Sequence, residues 1–134
     1  LLCAPGTALA ARDQVTWAEV ADQPLCLLTG DMQNRRIVNQ HLAEAGAQVV
    51  PQIESNSSIA LISHVMTGRW ASIVPRQLAQ MFTTDGQLRA IPIVAPEVEH
   101  LVGLITARRD TLTPVLAALI AEAERFAKTV NPSV

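Results

Sequence analysis

Cysteine is scarce in this sequence: only Cys3 and Cys26 occur, and both lie inside apolar runs. Neither has a partner at the spacing of a metal site, and one bridge would not make a disulfide framework. We therefore expect buried free thiols in a reducing compartment. An excess of positive charge is also lacking: the formal net charge is −2, so nothing in this segment indicates a nucleic-acid partner. No apolar run is long enough to cross a bilayer.

Motifs for catalysis and cofactor binding are also missing. The chain contains no G-x-S-x-G, H-E-x-x-H, G-x-x-x-x-G-K-[ST] or G-x-G-x-x-G. Its serines, histidines and acids have no spacing that pairs a nucleophile with a base, and His41, His64 and His100 lack metal-ligand spacing. We predict no enzymatic activity, metal or cofactor, although a triad assembled in space would leave no such motif.

The sequence does contain enough apolar side chains for one domain. Of 134 residues, 49% are hydrophobic, which excludes a disordered chain. Predicted strands alternate with predicted helices in the order β-α-β-α-β-α-β through the middle of the chain. Crossovers of this length favour a mostly parallel sheet with right-handed connections and helices on both faces. The predicted fold class is therefore α/β.

Apolar runs and turn residues give the bounds of these elements. Thr16 and Glu19 have the spacing of a capping box, which predicts a short helix at Trp17–Ala21. Gly46 and Gly68 are expected to end the next two helices. Strands are predicted at 1–4, 25–28, 48–53, 71–74, 88–94 and 101–107, and further helices from 35, 59, 76 and 114.

Individual side chains carry structural expectations as well. Pro92 should lie at an edge or a break of its strand, because proline cannot donate to a ladder. Trp17 should anchor its helix and His41 should be a packed neutral histidine, whereas Trp70 fits either the core or a pocket wall. The other residues expected in the core include Ile37, Val38, Leu42, Ala45, Ile59, Ile62, Val65, Met66, Met81, Phe82, Val115, Leu116, Leu119, Ile120, Ala123 and Phe126.

Three polar loops leave predicted strands and lead into helices, at residues 29–34, 54–58 and 75–77. Ligands of open parallel sheets bind at the carboxyl ends of the strands, so all three loops are expected at one edge. The first two are rich in hydroxyl and amide groups and end at helix N-termini, which suit an anion. Capping is the better interpretation of Asn56, Ser57 or Ser58 taken singly. The convergence of three loops favours a ligand site.

Two arginines, Arg35 and Arg36, stand in the first turn of the predicted helix. A cation there opposes the helix dipole by about 0.3–1 kcal/mol, and a bound anion such as a carboxylate would offset that cost. The alternative, favoured by the frequency of arginine on protein surfaces, is two solvated side chains.

Several short motifs follow one another along the chain in a specific order. TWAEVA at 16–21 precedes Pro24 and Leu25, ES at 54–55 precedes an apolar helix, and Gly68 precedes SIVP at 72–75. The sequence continues with a strand over 88–93, a return strand over 102–107, Arg108-Arg109 and the helix that starts at Thr113-Pro114. In this order the motifs resemble the effector-binding domain of LysR-type transcriptional regulators over the whole chain.

The resemblance implies a two-lobed fold like that of type 2 periplasmic binding proteins, with an effector in the cleft. Residues 1–99 would form the second lobe, and 100–134 would return to an incomplete first lobe. Because the chain starts inside a predicted strand, we expect preceding residues to be missing, among them a winged helix-turn-helix. The resemblance further implies a small-molecule effector, promoter DNA bound through that absent domain, a homodimer or homotetramer, and a cytoplasmic location.

The resemblance also implies which loop residues face the effector. The predicted effector-binding set, completed by neighbours in the same loops, is Thr29, Gly30, Met32, Gln33, Asn34, Arg35, Glu54, Ser55, Asn56, Ser57, Val74 and Pro75. One departure is Trp70, which stands where the family often has a second glycine, so a bulky ring could alter the pocket. A solute-binding protein for transport and an α/β enzyme are the alternative functions.

Overall fold

A computed structural model describes residues 1–97, 103–107 and 111–130. The chain divides into two compact units, Leu1–Val98 and Glu99–Val134. The strands are β1 (Leu2–Cys3), β2 (Val15–Thr16), β3 (Cys26–Leu28), β4 (Ile53–Ser55), β5 (Arg89–Ala90) and β6 (Ile93–Val94). The helices are α1 (Trp17–Ala21), α2 (Gln33–Glu44), α3 (Ser58–Met66), α4 (Arg76–Thr83) and α5 (Pro114–Val130), with a short 3-10 helix at Ala8–Ala11.

The first unit is organised around short strand pairs joined by backbone hydrogen bonds. β3 pairs with β4 and β2 with β6 in parallel, whereas β1 pairs with β5 antiparallel. The segment at Ala71 and Ser72 joins two of these pairs, because Ala71 bridges Leu25 in parallel and Ser72 bridges Leu2 antiparallel. The architecture is the predicted α/β class, with β1 running against its neighbours.

Helices cover both faces of this sheet, since side chains alternate along each strand. Leu25 and Leu27 point to one apolar layer and Cys26 points to the other. The first layer also buries side chains of α1 and α2, namely Trp17, Val20, Val38 and Leu42. The second buries side chains of α3 and α4, namely Leu61, Ile62, Val65 and Ala79.

Local signals in the sequence locate several of the helix ends. Thr16 Oγ1 accepts from the Glu19 backbone N–H at 3.2 Å, and Glu19 Oε2 accepts from the Thr16 N–H at 2.8 Å, which confirms the capping box. Gly46 and Gly68 follow α2 and α3 with φ of 77° and 75°, where a side chain would be strained. Trp17 is buried, and its Nε1 donates to the Pro96 carbonyl at 3.1 Å, as expected of an anchor.

Both cysteines are buried and free, as predicted. Cys3 belongs to the layer under α1 and α2, whereas Cys26 belongs to the layer under α3 and α4. Burial raises the pKa of the Cys26 thiol, because the apolar layer disfavours a thiolate. Their positions on opposite faces of the sheet exclude a bridge between them.

Several predicted bounds were wrong. Helix α2 begins at Gln33 instead of Arg35, because Gln33 and Asn34 can occupy a first turn whose N–H groups need no partner in the helix. The strand predicted at 48–53 lies at Ile53–Ser55, beyond Pro51, which cannot donate to a ladder. Glu54 and Ser55 are consequently strand residues and do not belong to the turn.

The other predicted strands are shorter than expected. The 71–74 segment forms only the isolated bridges described above. The 88–94 strand is split into β5 and β6 at Ile91 and Pro92, in agreement with a break at the proline. The described part of the 101–107 strand, residues 103–107, has no strand structure, and 101–102 lie outside the described residues.

Some apolar residues predicted in the core are exposed. Ile59 and Met66 are 72% and 50% exposed, because α3 buries only one stripe and these two lie on its other face. Met81 is 72% exposed on α4, while Phe82 packs against the core. On α5, which belongs to the second unit, Val115, Leu119 and Phe126 are exposed, and only Leu116, Ile120 and Ala123 are partly covered.

Candidate functional site

The strand register places the three predicted loops at the same edge of the sheet. Leu28 pairs with Ser55 in parallel, so Thr29 and Asn56 leave β3 and β4 side by side. Leu25 bridges Ala71 in parallel, and four residues further on these segments reach Thr29 and Pro75. The Thr29 backbone N–H also donates to the Ser55 carbonyl at 3.2 Å. A common edge therefore follows from hydrogen bonds alone.

Three helices begin at this edge, and their first turns differ. Ser57 Oγ caps α3 by accepting from the Ala60 N–H at 3.3 Å, which agrees with the capping interpretation of this residue. Helices α2 and α4 follow Met32 and Pro75, which supply no side-chain cap, and neither helix has an acidic residue in its first turn. The N–H groups of those two turns are left to solvent or to a ligand.

Arg35 is buried at this edge. Its Nη1 donates to Glu54 Oε1 and to the Leu28 carbonyl, both at 2.6 Å, and its Nε donates to Asn39 Oδ1 at 2.8 Å. The Arg35 side chain is 7% exposed and that of Glu54 is 48% exposed. The guanidinium thus ties the start of α2 to the ends of β3 and β4.

The interpretation of both arginines as solvated is therefore wrong for Arg35 and right for Arg36. Arg36 is exposed, and its Nη2 donates to the Asp31 carbonyl at 2.7 Å. The two adjacent side chains differ because helical spacing turns position 35 inward with Val38 and Leu42, while position 36 faces solvent.

Asp31 is a charged residue at the edge that the predicted effector-binding set omits. The neighbouring Thr29 hydroxyl, the Asp31 backbone N–H and Arg36 together hold the pKa of this carboxyl below its ordinary value. The contact between Thr29 and Asp31 falls short of full hydrogen-bond geometry, and Thr29 Oγ1 is shielded from solvent. The signal in the sequence was the position of an acid just before a helix N-terminus.

The predicted residues differ in how far solvent reaches them. Thr29, Met32, Asn34, Ser55 and Val74 are half-buried. The exposed members of the set are Gly30, Gln33, Glu54, Asn56, Ser57 and Pro75.

The predicted set omits Asn39, which accepts a hydrogen bond from Arg35. The spacing of four residues on a helix would have placed the two side chains together.

Trp70 lies away from these loops. It precedes Ala71, at the start of the segment whose far end is Pro75, so it belongs to the opposite edge of the sheet. Its Nε1 donates to Gln52 Oε1 at 3.0 Å, and the His64 ring meets its ring edge-on at 5.5 Å. The ring therefore does not reduce the space between the three loops.

His41 is buried, as expected. Its ring centroid lies 5.0 Å from that of Trp17, and its Nδ1 lies 3.0 Å from Glu44 Oε2.

Within 1–97, 103–107 and 111–130, no group of three or more His, Cys, Asp or Glu side chains could hold a metal ion. No helix in those ranges combines the length and apolar character that crossing a membrane requires.

Comparisons with known proteins agree with this architecture. The regulatory domain of MetR, a LysR family regulator from N. meningitidis, has a similar fold, with a TM-score of 0.59 and 21% sequence identity. The match covers 72% of this chain and 44% of that one, and for a mutant with two cysteines replaced by serine the shares are 72% and 46%. The chain thus spans less than half the length of these structures.

The sequence comparisons assign the family. No curated protein sequence matches the chain significantly. A family model described as the LysR substrate binding domain matches residues 1–128 of the 134. Because this match covers nearly the whole length, the chain belongs to the LysR substrate binding domain family.

Proposed function

We propose that this chain is the effector-sensing part of a LysR-type transcription regulator, and that the three-loop edge is its share of the effector pocket. The observation that carries the proposal is the hydrogen bond from the Thr29 N–H to the Ser55 carbonyl. Together with the parallel register, it gathers three polar loops at the carboxyl ends of the strands, where α/β sheets bind ligands. Family membership favours this function over transport or catalysis.

The proposed pocket uses the predicted set in different ways. Ser55 offers a half-buried hydroxyl, and Asn34 and Asn56 offer amides that fix a ligand's orientation. The shielded Thr29 hydroxyl positions the loop by facing Asp31. The N-termini of α2 and α4 favour an anionic effector. Val74, Pro75 and Met32 would supply the apolar contacts of the proposed pocket. Gly30, Gln33 and Ser57 are exposed and would lie at the mouth of the proposed pocket.

Arg35 and Glu54 have a positioning role in this proposal. Their charges already balance each other at 2.6 Å, so neither needs an effector as counter-ion. The pair holds the first turn of α2 against the strand ends, which sets the direction of the α2 N–H groups. An effector would therefore be bound by backbone and amide groups on a scaffold that the ion pair keeps rigid.

The proposed mechanism couples this pocket to DNA. Residues 1–99 act as the second lobe, residues 100–134 belong to the first, and an effector held at the three-loop edge shifts an existing conformational equilibrium of the full-length regulator. The shift can be only as large as the difference in effector affinity between the two states. The DNA contacts belong to a winged helix-turn-helix elsewhere in a cytoplasmic homodimer or homotetramer, and no step is catalytic.

The test uses the full-length regulator. A footprint on its promoter is recorded while small carboxylic acids are screened, and the pattern should change with one of them. Thr29→Val, Ser55→Ala and Asn56→Ala should weaken the response to that acid. Ser63→Ala, on the exposed face of α3, is the matched control and should not. The proposal fails if the intact protein binds no DNA, or if the three loop variants respond like the parent.

A further inference from the structure

The first unit has a cavity at the edge of the sheet opposite the three loops. Its volume is about 150 Å³, and its walls include Thr7, Leu9, Gln23, Pro24, Arg69 and Trp70. Pro24 and Trp70 stand just before the bridged pair Leu25 and Ala71, so they mark the starts of the parallel segments. Thr7 and Leu9 follow β1, which runs the other way and ends here.

Arg69 is the charged residue of this cavity, and it has no counter-ion among the described residues. Five other described arginines, at 12, 35, 76, 89 and 125, each lie within 4 Å of a carboxylate. Arg36 donates to a backbone carbonyl. The Arg69 guanidinium instead lies over the Trp70 ring, 5.0 Å from its centroid. Its in-plane N–H groups are left for an anion.

The Trp70 ring that supports Arg69 is held in place from two sides. Gln52 accepts a hydrogen bond from its Nε1 at 3.0 Å, and the His64 ring meets it in a T-shaped contact with the ring centroids 5.5 Å apart. The turn before it contains Gly68, whose φ of 75° suits glycine. The cation therefore stands on a fixed aromatic platform beside the cavity.

We propose that this cavity is a second ligand site, distinct from the three-loop edge, for a small monocarboxylate with an apolar ring or branched chain. The carboxylate would take two parallel hydrogen bonds from the Arg69 guanidinium. The apolar body would lie against Leu9, Pro24 and Trp70. A volume of about 150 Å³ equals that of roughly five waters and is smaller than a typical drug-sized pocket. The site therefore takes a single-ring acid.

Benzoate is the probe, and the neutral benzamide is its control. Both are titrated into the 134-residue chain up to roughly 30 mM, with assigned backbone amide NMR and tryptophan fluorescence as readouts. Benzoate should shift the amides of Leu9, Gln23 and Ala71 with a Kd on the order of 1 mM, the weak affinity expected for so few atoms. Benzamide should bind at least about tenfold more weakly, because it lacks the charge.

Two charge-matched variants locate the binding. Arg69→Gln should weaken benzoate binding about tenfold or more, whereas Arg36→Gln, which removes the same charge from the three-loop edge, should leave it within about twofold. Both arginines are exposed, so neither change should unfold the chain, and the melting temperature of each variant checks this. Thr29→Val should leave benzoate binding unchanged.

Three results would overturn the inference. One is the absence of any saturable shift around Leu9 and Ala71. Another is equal binding of benzoate and benzamide, which would remove the role of charge. The third is a loss of binding in Arg36→Gln and Thr29→Val but not in Arg69→Gln, which would move the anion to the three-loop edge and support the proposed function alone.

Discussion

Arg35 and Glu54 form an ion pair of 2.6 Å that joins the first turn of α2 to β4, with the arginine almost wholly buried and the glutamate half exposed. The pair is 19 residues apart in sequence, and the Leu28 carbonyl shares the same guanidinium nitrogen. This contact explains why a cation is tolerated at a helix N-terminus, because the neighbouring carboxylate offsets the unfavourable dipole.

Arg35→Ala should lower the free energy of unfolding by about 2 kcal/mol. The change leaves the Leu28 carbonyl and Glu54 without their donor, and the effect is smaller than the roughly 3–5 kcal/mol of a fully buried pair because Glu54 reaches solvent. Urea unfolding followed by circular dichroism measures it. Arg36→Ala is the control and should stay within about 0.5 kcal/mol. Equal effects of the two changes would show that the Arg35 contact does not contribute to the free energy of unfolding.

Glu19 should make stability depend on acid pH. The backbone N–H of Thr16, then Arg12 and the Thr16 hydroxyl, lower the pKa of Glu19 from 4.5 to about 2. Because the folded pKa is the lower one, the stabilisation is fully present above pH 4.5 and is lost as the pH falls towards 2. Urea unfolding between pH 6 and 2 should show a steeper fall for the parent than for Glu19→Gln. Parallel curves would contradict the capping role.

Ser72 should be replaceable at no cost to stability. It is fully buried, and its Oγ has no nitrogen or oxygen partner among the described residues, although it faces the Cys26 thiol closely enough to lower that thiol's pKa. A thiol is a weak hydrogen-bond partner, so burying this hydroxyl is unfavourable, and Ser72→Ala should raise the free energy of unfolding by up to about 1 kcal/mol. Chemical denaturation measures the change. A loss of more than about 1 kcal/mol would mean that the hydroxyl is paired in solution.

Ser57 can separate capping from ligand binding at the three-loop edge. Ser57→Ala should cost about 1 kcal/mol, since Oγ accepts from the Ala60 N–H, and Ser57→Asp should restore the cap. If the proposed effector is an anion, the aspartate variant should be stable yet bind it more weakly, because a carboxylate at the mouth repels it. Thermal melting and effector titration of the two variants provide the comparison. Unchanged binding by the aspartate variant would mean that the effector is neutral or lies elsewhere.

Predictions from the sequence succeeded where the determining interactions are local. The capping box of Thr16 and Glu19 and the glycines after α2 and α3 depend on contacts within a few residues, so their patterns are readable directly. The predicted parallel order of strands depends on crossover length and handedness, which are also properties of the sequence. The common edge of the three loops then followed from topology.

Other features of the fold depend on which face of a helix or strand packs against another element. Nothing in the spacing of α3 distinguishes Ile59 and Met66, which are exposed, from Leu61 and Val65, which are buried. The pairing of Arg35 with Glu54 is likewise not readable from the sequence. It requires β4 to lie beside β3, and it requires α2 to begin two residues before the start that its apolar pattern predicts.

The sequence by itself determined the α/β class, the caps, the free buried cysteines and the set of loops that meet at one edge, because periodicity and turn chemistry act over short distances. Only the tertiary structure decided that Arg35 is buried against Glu54 and that Trp70 and Arg69 stand at the opposite edge beside a cavity. These contacts join residues far apart in the chain, and their partners are set by strand register, which no local pattern specifies.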